Sequence, residues 1–216
     1  MKNSLYLSGL IPDTLPEFSI SDSEVWNSES HLVKGEHILV AAPSGKGKTS
    51  FISILYGLRM DFKGTYYINE TNSKDISPAE WSKIRSSEIS IVFQDLRLFS
   101  EYTVAENLLI KGRLNEAEYI KEESFNMCQA LGIGSLFEKK CGQLSFGERQ
   151  RVAIVRALLQ NASYFIMDEP FSHLDKKNTE LALELILKKT GEQKAGLFIT
   201  SLGSDYGWNY DRILNL

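Results

Sequence analysis

The octet Ala42-Pro43-Ser44-Gly45-Lys46-Gly47-Lys48-Thr49 constrains the fold more than any other stretch of the chain. The apolar run Ile38-Leu39-Val40-Ala41 leads into it, and Ser50-Phe51-Ile52-Ser53-Ile54-Leu55 leads out. That order reads as strand, glycine-rich loop, helix, and the context separates a phosphate-binding loop from a chance Gly-Lys-Thr. Consecutive backbone N–H groups of such a loop curl around phosphate oxygens, and the helix N-terminus adds the positive end of its dipole. Lys48 is placed to reach the β- and γ-phosphates of a nucleotide, and the Thr49 hydroxyl to join the shell of a Mg²⁺ ion. Ala42 stands where a glycine is usual. A left-handed backbone at that position would make alanine cost about 1–2 kcal/mol; any other backbone makes it harmless.

The 216 residues fit one sizeable domain or two small ones, long enough for a full core. A net charge of −4 gives no basic excess of the kind nucleic-acid binding needs, so no nucleic-acid partner is expected. No apolar run approaches the length of a membrane span, and the first residues lack the apolar stretch of a secretory signal. A cytoplasmic protein that meets a membrane through a partner is the expectation. Cys128 and Cys141 have no metal spacing and read as buried thiols.

The first 35 or so residues, with Pro12, Pro16 and many serines, predict irregular strands and turns. Strands are expected at 36–42, 64–69, 88–93, 164–167, 197–200 and 212–214, and the first helix at 48–58. Ser77-Pro78-Ala79-Glu80 combines an N-cap, a proline at the first helical position and a glutamate at the third, so a short helix begins there. From about 96 to 160 the pattern is helical throughout, with helices at 103–111, 115–131 and 147–160, and another follows at 175–189. The order reads as an α/β nucleotide core split by a helical insert, and with the phosphate loop it resembles the P-loop NTPases, with a RecA-like mixed sheet core flanked by helices. It carries an inserted α-helical subdomain and a small N-terminal β region. The chain reads as one domain over 1–216, with its core at about 1–95 and 161–216 and the helical subdomain at about 96–160.

Two further motifs sharpen the chemistry. Tyr164-Phe165-Ile166-Met167-Asp168-Glu169 is an apolar strand ending in two carboxylates. Beside a phosphate loop, Asp168 is placed to hold Mg²⁺ through water, and Glu169 to orient or deprotonate a water attacking the γ-phosphate. Leu144-Ser145-Phe146-Gly147-Glu148-Arg149-Gln150-Arg151 directly precedes a helix, and Ser145 and Gly147 at its N-terminus form an anion-facing edge of N–H groups and a hydroxyl.

Taken together, these motifs resemble the ATP-binding subunit of an ABC (ATP-binding cassette) transporter over nearly the whole chain. Residues 42–49 resemble the Walker A motif, Gln94 the Q-loop, 144–148 the signature motif, 166–170 Walker B, and Ser172-His173-Leu174-Asp175 the D-loop. The resemblance implies ATP and Mg²⁺ as cofactors. Nucleotide contacts then fall to Ala42, Pro43, Ser44, Gly45, Lys46, Gly47, Lys48, Thr49 and Ser50. Metal contacts fall to Thr49, Gln94 and Asp168, and catalytic work to Glu169, Lys48, Gln94 and the residue at position 201. It also implies a head-to-tail dimer, with a homologous or identical second cassette, in which Ser145, Gly147 and Glu148 face the nucleotide of the partner and Asp175 crosses the interface. Integral membrane permease subunits complete such a system, placing this chain on the cytoplasmic face of the inner or plasma membrane. ATP hydrolysis coupled to transport is the implied activity. An ABC-type ATPase without a transport role, and a nucleotide-dependent regulatory module, are the alternatives.

Beyond Ala42, the chain departs from the family pattern at two places. Ser201 follows Thr200 where a switch histidine is usual, and the three histidines, His31, His37 and His173, lie elsewhere. Losing a charge-assisted contact to the γ-phosphate predicts a loss of about 2–4 kcal/mol of transition-state stabilisation, or roughly 30- to 1,000-fold in rate. Phe146 replaces the first glycine of the usual signature pair. For the aromatic residue that stacks on adenine, Phe18 is the candidate and Trp26 the second.

Overall fold

Apolar side chains on both faces of a central sheet decide how this molecule is layered. The computed structural model describes residues 4–15, 23–110 and 117–216. In chain order the elements are β1 (Ser4–Pro12), β2 (Glu29–Val33), β3 (His37–Ala41), α1 (Lys48–Leu55), β4 (Phe62–Ile68), β5 (Thr71–Asn72), α2 (Pro78–Ser87) and β6 (Ile89–Val92). There follow α3 (Val104–Leu109), α4 (Ala117–Ala130), α5 (Phe146–Leu158), β7 (Tyr164–Asp168), α6 (Lys176–Gln193), β8 (Gly196–Ser201) and β9 (Arg212–Asn215). Strands β6-β7-β8-β3-β9, in that order, form a parallel sheet. A second, antiparallel sheet has the order β2-β1-β4-β5.

Because successive residues of a strand point to opposite faces, the parallel sheet feeds two cores. Leu39, Val92, Phe165, Met167, Leu197 and Ile199 join one core with Val104, Leu108, Val152 and Val155 from the helical stretch. Ile38, Val40, Tyr164, Ile166 and Phe198 join the other, with Phe51 and Ile54 of α1 and Leu5, Leu7 and Trp26 from the N-terminal region. Helices cover one face of the sheet, and α1 with the antiparallel sheet covers the other. Near-continuous apolar strands such as Tyr164–Met167 require this double cover.

The expected mixture of strand directions is divided between two sheets: the central sheet is parallel among the described strands, and the antiparallel strands stand in a sheet of their own. The N-terminal region is also more regular than its prolines and serines imply. β1 runs for nine residues and pairs on both sides, with one register irregularity between Ser8 and Ile11 against β4. Two-sided pairing satisfies its backbone while Leu5, Leu7 and Leu10 leave water, and that gain overrides the local turn signals. The remaining elements fall within a few residues of expectation. α1 stops at Leu55 because Gly57 turns left-handed at φ 69°. α2 shows the anticipated reciprocal cap between Ser77 and Glu80. Cys128 and Cys141 are free and buried, and burial pushes the Cys128 thiol up to about 12, which keeps it unreactive.

At Gly64 the backbones of β1 and β4 cross closely. Gly64 has φ 84°, and a Cβ there would lie 2.2 Å from the Gly9 carbonyl oxygen. Gly64→Ala is expected to destabilise the protein by about 2 kcal/mol or more, since a left-handed alanine alone costs about 1–2. Urea unfolding with an unchanged midpoint would show that this crossing is not needed.

Candidate functional site

Parallel register brings the motifs to one edge. Asp168 lies opposite Thr200, Ala41 opposite Ser201, and Val92 opposite Met167, so β3, β6, β7 and β8 all end on the same side. In parallel α/β sheets ligands bind beyond these carboxyl ends. A cleft of about 300 Å³ opens there, lined by the 44–50 loop, Gln94, Glu169, Thr14 and Leu15.

The loop is built to expose its N–H groups. Gly45 and Gly47 adopt φ 84° and 96°, and Gly47 is the N-cap of α1 without any side-chain cap. Ala42 is not among the described residues with positive φ, so the alanine there carries no backbone strain. Its N–H donates to the Ser201 carbonyl at 3.1 Å. Lys48 is 6% exposed and folds back under the loop. Its ammonium donates to the carbonyls of Ala42 at 2.7 Å and Pro43 at 3.0 Å and lies 3.3 Å from a Glu169 carboxylate oxygen. Ser50 accepts a hydrogen bond from Arg59, which also donates to Thr14 and pairs with Asp61.

The two carboxylates take different partners. Asp168 accepts from the Thr200 hydroxyl at 2.7 Å and from the Thr49 hydroxyl at 3.0 Å. Burial raises its pKa, opposed by those two hydrogen bonds. Glu169 is held in a left-handed conformation, φ 48°, which turns its side chain to face Lys48 and Gln94. The Gln94 amide donates to it at 3.5 Å, a long contact. Strain of this kind concentrates at functional sites. A carboxylate and a hydroxyl 3.0 Å apart at the foot of a phosphate loop are hard oxygen donors that fit Mg²⁺, which takes its other ligands from phosphates and water.

The anion-facing edge lies apart from the cleft. Ser145 caps α5, and Glu148 returns its carboxylate to the Ser145 N–H at 2.7 Å and hydroxyl at 2.8 Å. The first of these bonds holds the Glu148 carboxyl below the usual carboxylate range. The structure thus places Glu148 on its own helix cap. Asp175 likewise caps α6, accepting from the Asn178 N–H at 2.8 Å. None of Ser145, Gly147 and Glu148 lines the cleft of this chain. Phe18 lies outside the described residues. Trp26 does not face a ligand: it is 1% exposed, packs edge-on against Phe51 and donates to the Lys46 carbonyl at 3.1 Å. It supports the loop from beneath.

Four participants were not anticipated. Thr200 bridges the acids, donating to Asp168 while accepting the Glu169 N–H at 3.0 Å. Gln150 is buried and donates to the Glu169 carbonyl at 3.0 Å. Thr14 and Leu15 reach the cleft from the end of β1. Position 200 at the end of an apolar strand carried a usable signal; Thr14 and Leu15 carried none.

The raised pKa of Asp168 has a consequence for stability. A carboxyl whose folded pKa exceeds its unfolded one stabilises the fold when protonated, and this contribution is lost as pH rises through the folded pKa. Asp168→Asn removes the buried charge. Without nucleotide at pH 7 it is expected to raise the thermal midpoint, and the gap to the parent should close as pH falls into the carboxylate range. A lowered midpoint at pH 7 would mean that the hydroxyl partners outweigh burial.

Comparison with known proteins agrees with this geometry. A family model described as "ABC transporter" matches residues 26–172. The lipoprotein-releasing system ATP-binding protein LolD of Xanthomonas axonopodis pv. citri is 29% identical over 187 residues, 86% of this chain and 77% of the relative. LolD of Legionella pneumophila is 31% identical over 190 residues, covering 86% of this chain and 82% of its own length. Among solved structures, the dimeric ABC transporter cassette MJ0796 superposes with a TM-score of 0.85 at 26% identity, covering 98% of this chain and 94% of that one. The same cassette has been seen as a dimer in a post-hydrolysis state bound to ADP and Pi, with a TM-score of 0.83 and 27% identity. The chain belongs to the ABC transporter family and is an ATP-binding, ATP-hydrolysing subunit of that family.

Proposed function

We propose that two cassettes close head to tail around ATP and so drive membrane-spanning permease subunits, with this chain bound peripherally on the cytoplasmic face. The observation that carries this reading is the convergence of Lys48, Thr49, Gln94, Asp168 and Glu169 at one cleft that lacks the Ser145–Gly147 edge. In this reading residues 42–50 wrap the phosphates with backbone N–H groups, and Lys48 exchanges an oxygen partner for a phosphate oxygen. Thr49 and Asp168, with Gln94 nearby, hold Mg²⁺, which when bound neutralises phosphate charge. Glu169 accepts a proton from the attacking water, and Gln94 orients it. The missing edge comes from the second cassette, identical or homologous, through Ser145 and Gly147. ATP then joins the two because donors of both chains share its charge.

Residues 96–160 act as the helical subdomain in this scheme. Phe99 and Tyr102, stacked at 5.3 Å and 54% and 48% exposed, supply an apolar surface a few residues beyond Gln94 where a permease can rest. Relatives whose names specify lipoprotein release support a lipidated protein as the cargo class of such a system. Hydrolysis is slow at the site built on this chain's own loop, because Ser201 stands at the switch position. Its hydroxyl is fully buried and accepts the Gly203 N–H at 3.1 Å.

Glu169→Gln with ATP and Mg²⁺ is expected to yield a stable dimer by light scattering, whereas Lys48→Ala abolishes nucleotide binding. A Glu169→Gln protein that stays monomeric at saturating ATP would remove the head-to-tail reading. Ser201→His is expected to raise steady-state phosphate release by roughly 30-fold or more. Unchanged release would show that position 201 does not limit turnover.

A further inference from the structure

Two departures from the family pattern, at 146 and 201, raise the question of which group donates to the γ-phosphate, and a histidine at 173 stands in contact with one of them. Ser201 is fully buried and does not line the cleft, so it offers no cationic or exposed donor there. His37 opens β3 at the end remote from the loop, and His31 sits on β2 against the Tyr6 ring at 4.5 Å. His173 alone of the three lies at the catalytic end of the sheet, four residues past Glu169.

Its position is held by several contacts. The imidazole meets the Phe146 ring edge-on, with centroids 4.2 Å apart. Its backbone N–H donates to the buried Gln150 side chain at 3.2 Å. Its carbonyl oxygen lies 2.8 Å from where a Cβ on Gly147 would stand, so only glycine lets the 172–175 turn press this close to α5. Phe146 in turn carries the Arg149 guanidinium at 5.3 Å. The exposed imidazole therefore shares an edge with Ser145 and the N-terminus of α5, and whatever that edge faces, His173 faces too.

We propose that His173 offsets part of the contact that position 201 lacks, donating an imidazole N–H across the dimer interface to the γ-phosphate held on the partner's 42–49 loop. The inference rests on the head-to-tail reading above. Phe146 is the positioning residue: a glycine there would leave the ring without its apolar wall. In the step itself, a water oxygen bonds to the γ-phosphorus as the bond to the bridging oxygen breaks, and the electron pair leaves with ADP. The water's proton passes to Glu169. His173 donates a hydrogen bond to a γ-phosphate oxygen and transfers no proton.

The test uses the full chain. In the Glu169→Gln background, His173→Ala is expected to raise the ATP concentration for half-dimerisation about tenfold, the effect of losing a charge-assisted hydrogen bond. With Glu169 intact, His173→Ala lowers phosphate release by roughly 100-fold. Mixing decides the trans assignment. A His173→Ala chain, whose loop is intact, is combined with a Lys48→Ala chain, whose His173 is intact; release recovers because the hybrid site joins the two. A Lys48→Ala helper that also carries His173→Ala gives no recovery. Equal release from His173→Ala and parent, or equal recovery with both helpers, overturns the proposal while leaving ATP-driven dimerisation untouched. No ATP-driven dimer from Glu169→Gln with His173 intact overturns the head-to-tail reading and this inference with it.

Discussion

A pair of adjacent carboxylates almost out of water, Asp168 at 2% and Glu169 at 8% exposure, is the constraint around which this protein is organised. Buried charge is tolerated only where donors face it. Here the donors arrive from different parts of the chain: Thr200 from the end of β8, Thr49 and Lys48 from the loop and first turn of α1, and Gln94 from beyond β6. All of them depend on strand register. A slip of one residue between β7 and β8 would turn every alternating side chain to the opposite core and remove Thr200 from Asp168. The same apolar alternation that stabilises the two cores therefore aligns the chemistry.

A second linkage ties the anion-facing edge to these acids. The Gln150 amide donates to the Glu169 carbonyl and to the Ser172 hydroxyl, while its oxygen accepts the His173 N–H. Buried and fully engaged, this amide makes the start of α5, the 172–175 turn and the end of β7 one rigid unit. Arg151 extends the connection, donating to the Leu131 carbonyl and the Asn178 side chain and so joining α5 to α4 and α6. Helical segment and catalytic edge are mechanically continuous, which is what coupling phosphate chemistry to a distant surface requires.

Much of the fold was legible because its signals are local. The cap Ser77–Glu80, the glycines of the 42–49 loop and the apolar strand before Asp168 each act within one or two turns of chain. The regularity of the N-terminal strand was not legible because its stability comes from neighbours on both sides, β2 and β4, which its own residues do not announce. Trp26 was weighed as a ligand contact, yet it lies beneath the loop: composition showed an aromatic at a plausible distance but not which way it points.

By itself the sequence determined the chemistry on offer. A phosphate cradle, a carboxylate pair and an anion-facing helix start are short contiguous patterns, and their backbone geometry follows from glycine, helix dipole and strand end. Only the tertiary structure decided which side chains meet. Thr49 reaches Asp168 across 119 positions, Thr200 across 32, and Phe146 touches His173 only because α5 and the 172–175 turn pack without a side chain at Gly147. Such pairings follow from parallel register and close packing, which no local run of residues can specify.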